Sequence, residues 1–275
     1  MKKILMISMV IGAVAVSQAQ TLVDNFQSDS LGLVSGGATS GAWTVEMGTT
    51  APPNIDTATI QNDGSGNNFL SIGGVTAGSG VYRALPTAIP GFSTGTIFFQ
   101  VFANNVNLNV SIGLSDVAAP TDANNFASFE PQFRLNYNAG APRFDVRNGG
   151  AFVDLTTHTA ITAGQWYNVW IVANTTSDTW NCYINTGTAD ATAGDLKMSG
   201  IAFRDATDHN TALTTLLVYS GAIAGGSLAA SVDNFYESSG TVLVDPLNPV
   251  PEPSSVVLVL SGVGVLMSLR RSRKA

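Results

Sequence analysis

Three tryptophans and three aspartates are the side chains of this chain whose types and placement invite chemistry. Trp43, Trp166 and Trp170 are flat, polarisable rings, and rings of this kind beside Asn, Asp or Arg form stacking platforms for sugars. Trp166 and Trp170 lie four apart in Gln165-Trp166-Tyr167-Asn168-Val169-Trp170, so on a strand they share one face. Core filling is the competing role for such residues in a β-protein. Asp24, Asp233 and Asp63 offer carboxylate oxygens to a hard cation, and a structural calcium is the metal this composition permits. No EF-hand or repeat-toxin spacing accompanies them, and aspartate in turns ordinarily serves the backbone.

Catalytic sets are harder to assemble. A retaining glycosidase needs two carboxylates about 5 Å apart. The glutamates outside the tail are Glu46, Glu130 and Glu237, with none paired at strand spacing. His158 and His209 are too few and too isolated for a zinc triad. No Gly-x-Ser-x-Gly elbow is present for a serine nucleophile. Cys182, the sole cysteine, stands among Trp180, Tyr183 and Ile184 and reads as a small buried hydrophobe. The chain is therefore expected not to be an enzyme.

The elements that would carry these residues are strands. Val106, Leu108, Val110, Ile112 and Leu114 alternate with polar residues, the pattern of a half-buried strand. Ile97 to Phe102 is almost continuously apolar, as in a strand packed on both faces, and Asn104-Asn105 reads as a hairpin turn between the two. The grammar repeats through residues 133–137, 143–147, 151–155, 165–173, 179–185, 213–219 and 230–237, with Asn148-Gly149-Gly150 as the strongest turn signal. No sustained 3.6-residue period interrupts it. Val23-Asp24-Asn25-Phe26 recurs as Val232-Asp233-Asn234-Phe235, which predicts that the first and last strands lie together in one sheet. The fold class is all-β, a single jelly-roll β-sandwich over residues 20–240.

Both ends differ from this body. Lys2 and Lys3 precede an apolar run from Ile4 to Val16, and Ser17-Gln18-Ala19 places small residues at −3 and −1. Residues 1–19 thus read as a secretory signal peptide cut between Ala19 and Gln20. After a linker at 241–249, the C-terminus carries Val250-Pro251-Glu252-Pro253, an uncharged span at 254–269, and a basic tail at 270–274 containing Arg270, Arg271, Arg273 and Lys274. Read as a single transmembrane helix, these sixteen residues span about 24 Å, short for a hydrocarbon core of about 30 Å. The basic cluster belongs on the cytoplasmic side.

The tail resembles the PEP-CTERM sorting signal. The resemblance implies an exosortase-type sorting protease as partner, transient residence in the inner membrane, and delivery to the cell envelope, surface or secreted matrix. The body resembles the concanavalin A-like and laminin-G-like jelly rolls through Asp24-Asn25-Phe26, Gly41-Ala42-Trp43, the strand containing Trp166 and Trp170, and Val232-Asp233-Asn234-Phe235. It departs from the polysaccharide hydrolases of that fold, because no Glu-x-Asp-x-Glu strand occurs.

Charge narrows the partners. The chain has 12 basic and 19 acidic residues; without the two ends six basic and 18 acidic remain, net about −12. Such a body is a poor partner for nucleic acid or anionic lipid. With one cysteine an internal disulfide is impossible. The expected function is that of an exported structural or adhesive sandwich in contact with extracellular polysaccharide or matrix. A carbohydrate-binding module is the first alternative and a divergent glycoside hydrolase the second.

Overall fold

A computed structural model describes residues 19–34, 43–46, 58–73, 79–103, 109–120, 128–138, 141–155, 160–205, 211–221 and 230–248. Sixteen strands, numbered in chain order, make two antiparallel sheets packed as a sandwich among the described residues. The first sheet runs β14 (Leu196–Ala202), β13 (Thr179–Asn185), β12 (Trp166–Asn174), β7 (Thr94–Ala103), β16 (Ala230–Ser239), β5 (Asn68–Ile72), β4 (Ala58–Asn62) and β2 (Gly32–Leu33). Strand β1 (Thr21–Asp24) also pairs with β16. The second runs β11 (Ala151–Asp154), β10 (Ala141–Asn148), β9 (Gln132–Asn138), β8 (Asn109–Ser115), β15 (Leu213–Ser220), β6 (Ser79–Ile89) and β3 (Thr44–Glu46).

The winding is that of a jelly roll. The last two strands enter between early ones, β15 between β6 and β8, and β16 between β5 and β7. First and last strands pair, as the repeated tetrapeptide predicts. Phe26 and Phe235 both turn inward and enclose Trp43, with ring centroids 5.7 Å (Phe26–Trp43) and 5.8 Å (Trp43–Phe235) apart. Phe26 and Asn234 adopt positive φ, 56° and 55°, although neither is glycine. The register of β16 on β7 slips between Asp233 and Tyr236, so Asn234 is the extra residue of a bulge. That residue sends Asp233 to the outer face beside Gln100 while Phe235 enters the core.

The core is built by alternation. Ile97, Phe99 and Val101 of β7 and Val169, Ile171 and Ala173 of β12 face the second sheet. Phe98 and Trp170, on the opposite face, are also fully buried. They are covered by the chain after β16, where Leu243 packs on them and Asp245 is 0% exposed. Ala191 N–H donates to the Leu243 carbonyl at 2.8 Å, and Val242 N–H to Thr96 Oγ1 at 3.0 Å. Residues 241–248 are thus part of the domain and not the expected linker. They stay because leaving would return two large aromatic side chains to water, at about 1.5–3 kcal/mol each.

The hairpin turn expected at residues 104–105 lies outside the described residues; strands β7 and β8 on either side of it belong to different sheets and do not pair with each other. Alternation specifies that a strand has two faces but not which sheet receives it.

Candidate functional site

The outer face of the first sheet carries three rows of side chains, each set by direct cross-strand pairing. Tyr183, Trp170, Phe98 and Tyr236 form the first. Asn185, Asn168, Gln100 and Asp233 form the second, and Trp166, Phe102, Ser231 and Ser71 the third.

Their exposure separates them. The first row lies under residues 241–248, with Trp170 Nε1 donating to the Val244 carbonyl at 3.4 Å. Trp170 is therefore not available as a sugar platform. Trp43 is likewise buried, inside the sandwich, where its Nε1 donates to Asp24 Oδ2 at 2.7 Å. Both corrections have one cause, since a large aromatic surface gains most by leaving water. Trp166 alone of the three remains half-exposed. It packs on Phe102 at 5.2 Å and edge-on to Phe69 at 6.1 Å, and all three rings are half-buried.

Beside this trio runs a chain of amides. Gln100 Nε2 donates to Asn168 Oδ1 at 2.9 Å, and Asn234 Nδ2 donates to Gln100 Oε1 at 2.8 Å. Asn168 Nδ2 reaches Asp245 Oδ2 at 3.1 Å. The result is an apolar aromatic step bordered by oriented amides, the chemistry that stacks a sugar ring and reads its hydroxyls.

The three predicted cation ligands have other partners. Asp24 accepts from Trp43, from the Phe26 N–H at 2.8 Å and from the Arg83 guanidinium. Asp63, in an exposed turn, accepts from the Ser65 hydroxyl at 2.7 Å, from Ser65 N–H at 2.7 Å and from Asn67 N–H at 3.2 Å, and these bonds, the hydroxyl's first, hold its carboxyl below its usual range. Asp233 accepts from Asn67 Nδ2 at 3.0 Å and Asn234 N–H at 2.7 Å. Burial pushes Asp233 up to about 7, with Asp24 and Asp63 adding like charge and the two hydrogen bonds opposing. As placed, these neighbours are donors turned to the carboxylates rather than a shell of oxygens turned to a cation. Among the described residues no three Asp, Glu, His or Cys side chains are grouped to hold a metal.

Two arrangements escaped the sequence reading. Glu130 meets Asp116, Asp178 and Asp205 around a cavity of about 10 Å³. Burial first, and then these like charges, push Glu130 up to about 8, with the Asp205 N–H bond at 3.1 Å opposing. The four residues come from four separate segments, so no local spacing announces them. The other lies on the second sheet. Arg134 Nε donates to Asp145 Oδ1 at 2.8 Å, Asn136 adds a bond to the same carboxylate, and Arg143 pairs with Asp154. The Arg134 guanidinium lies 3.4 Å from the Phe152 ring centroid.

At the N-terminus, Gln20 Nε2 donates to the Val244 carbonyl at 3.0 Å, while Ala19 lines a separate cavity. Cys182 is fully buried, and burial raises its thiol far above the ordinary range. Val250, Pro251, Glu252, Pro253, Arg270, Arg271, the span at 254–269, His158 and His209 lie outside the described residues. No helix among the described residues is long and apolar enough to cross a membrane.

The tail decides what can be said by comparison. Residues 249–274 match the PEP-CTERM protein-sorting motif. The motif marks an exported, sorted, membrane-transiting protein and implies processing by an exosortase. Among curated proteins no sequence relative is found. Solved structures similar to the fold include a sialidase, at 13% identity and TM-score 0.48, covering 80% of this chain and 18% of that one. This chain therefore spans about a fifth of the sialidase. The globular domain of T. cruzi calreticulin matches at 11% identity and TM-score 0.49, covering 92% and 100% of the two chains. Lectin II from Ulex europaeus matches at 11% and 0.46, covering 82% and 100%.

Proposed function

We propose that this is a non-enzymatic contact protein of the cell envelope or extracellular matrix, freed of residues 1–19 on export and of its C-terminal tail on sorting. It acts as a structural or adhesive component. The observation that carries the reading is the sorting motif joined to a sandwich whose Glu130 carboxylate set encloses only about 10 Å³. A pyranose ring is larger than this space, which supports a non-catalytic reading of the Glu130 set. The ion pairs of Arg83 and Arg134 give Asp24 and Asp145 structural partners in the same way.

Polysaccharide is the partner class favoured by the outer face of the first sheet. Phe69, Phe102 and Trp166 supply the stacking surface, and Gln100 and Asn234 the neighbouring amides. The decisive experiment is affinity electrophoresis of the purified protein through gels containing the producing organism's extracellular polysaccharide. Retardation abolished by Trp166→Ala, with an unchanged melting curve, supports carbohydrate contact. Free migration of the wild type, joined to unaltered biofilm or floc in a deletion strain, overturns the contact reading as a whole. Intact mass of envelope-recovered protein tests the sorting step: a new C-terminus near Pro251 supports it, and retention of Arg270 to Lys274 defeats it.

A further inference from the structure

Glu237 is an anomaly in this domain. It belongs to β16, faces inward between the sheets, and is 3% exposed. One carboxylate oxygen accepts the Thr87 N–H at 2.7 Å; the other, Oε2, is buried with no hydrogen-bond partner among the described residues. An unsatisfied carboxylate oxygen inside a protein costs more than almost any other polar defect.

Glu237 also lines a cavity of about 230 Å³ at the end of the sandwich. Strands β6, β7, β1 and β16 enclose it with Thr87, Thr94, Thr21 and Ser239, and no Lys, Arg or His is among the described lining residues. Among the other lining residues is Ala19.

That residue is the last of the expected signal peptide. Thr21 stands directly opposite Glu237 in the β1–β16 pair, where Cα atoms are about 4.5–5.5 Å apart. Gln20 joins two lining residues, Ala19 and Thr21, and its own side chain is turned to the Val244 carbonyl. Cleavage between Ala19 and Gln20 would remove part of the wall and turn the Gln20 backbone nitrogen into an ammonium, charged at neutral pH with an ordinary pKa of about 7.7–8.0.

We propose that the Glu237 cavity is the receptor for the chain's own α-ammonium at Gln20, so that signal removal completes a buried ion pair and locks β1 onto β16. This inference rests on the export reading above. Before cleavage burial raises the Glu237 carboxyl above its ordinary value; after it, the carboxylate gains the partner that its second oxygen lacks. Processing therefore stabilises the product relative to the precursor.

The test compares two full-length proteins, one beginning at Gln20 and the other retaining Ser17 to Ala19, each with and without Glu237→Gln. At pH 7 the chain beginning at Gln20 should melt several degrees higher, and Glu237→Gln should erase the difference. An equal difference in both backgrounds, or none with Glu237 present, overturns the proposal. Should Glu237→Gln fail to fold, the rate of α-amine acylation against pH in the chain beginning at Gln20 decides instead. A midpoint above the ordinary range supports the pair, and an ordinary midpoint overturns it. Mass of the exported protein separates the two readings. An N-terminus elsewhere sinks the cleavage assignment, whereas a Gln20 terminus without coupling, or one cyclised with loss of ammonia, sinks only the receptor.

Discussion

Glu130 and Asp233 are carboxyls that the fold removes from water without giving them a full countercharge. Glu130 rises from 4.5 to about 8 and Asp233 from 3.8 to about 7, burial leading in each case. A folded value above the unfolded one means the contribution to stability is complete below the unfolded pKa and lost as pH climbs toward the folded one. Glu237 and Asp245 are shifted in the same direction. The melting temperature should therefore fall between pH 4.5 and pH 8, and fall less in Glu130→Gln, as circular dichroism melts across that range will report. Asp116, Asp178 and Asp205 surround Glu130, so the variant removes the cost of a buried charge and the repulsion together. Cys182 gives a second expectation at this scale. Its thiol is fully buried and its thiolate disfavoured, so a thiol reagent should modify it only as fast as the domain unfolds.

Strands are held to their places by single close contacts as well as by ladders. A Cβ on Gly113 of β8 would stand 2.0 Å from the Pro131 carbonyl oxygen and 3.0 Å from a Phe129 ring carbon. Gly113→Ala must displace the 129–131 segment, which pairs with β8 through Glu130 N–H to Leu114 O at 2.8 Å. A loss of about 1–3 kcal/mol is expected, read from denaturant midpoints. At this scale the chain was readable to within a few residues at most strands, because apolar alternation has the period of the pleat. The pairing of the repeated Val-Asp-Asn-Phe segments was readable too, while the bulge at Asn234 was not. Its positive φ responds to packing of Phe235 between Phe26, Trp43 and Phe99, contacts far apart in sequence. The candidate site was read in part. Trp166 is left half-exposed, but Trp170 on the same face is hidden by Leu243, and no periodicity reveals which face a later segment will cover.

At the scale of the molecule, residues 241–248 work as a strap across the first sheet. Asp245 ties it to Asn168 at 3.1 Å and to Asp190 through its own N–H at 2.8 Å, and Gln20 ties the N-terminus to the same strap. A chain ending at Gly240 should expose Phe98 and Trp170. It should melt well below one ending at Asn248 and shift tryptophan emission to the red. The strap also fixes a length of tether. The last described residue, Asn248, is followed at once by the sorting motif, and from Asn248 to Ser254 six extended residues reach at most about 20 Å. On the sorting reading proposed above, a domain fastened to its strap and held by a span beginning at Ser254 would ride against the bilayer surface, with no slack to swing away. On that reading the sorting protease would work in a narrow gap between folded protein and lipid, and the cut would leave a stub of only a few residues on the released sandwich.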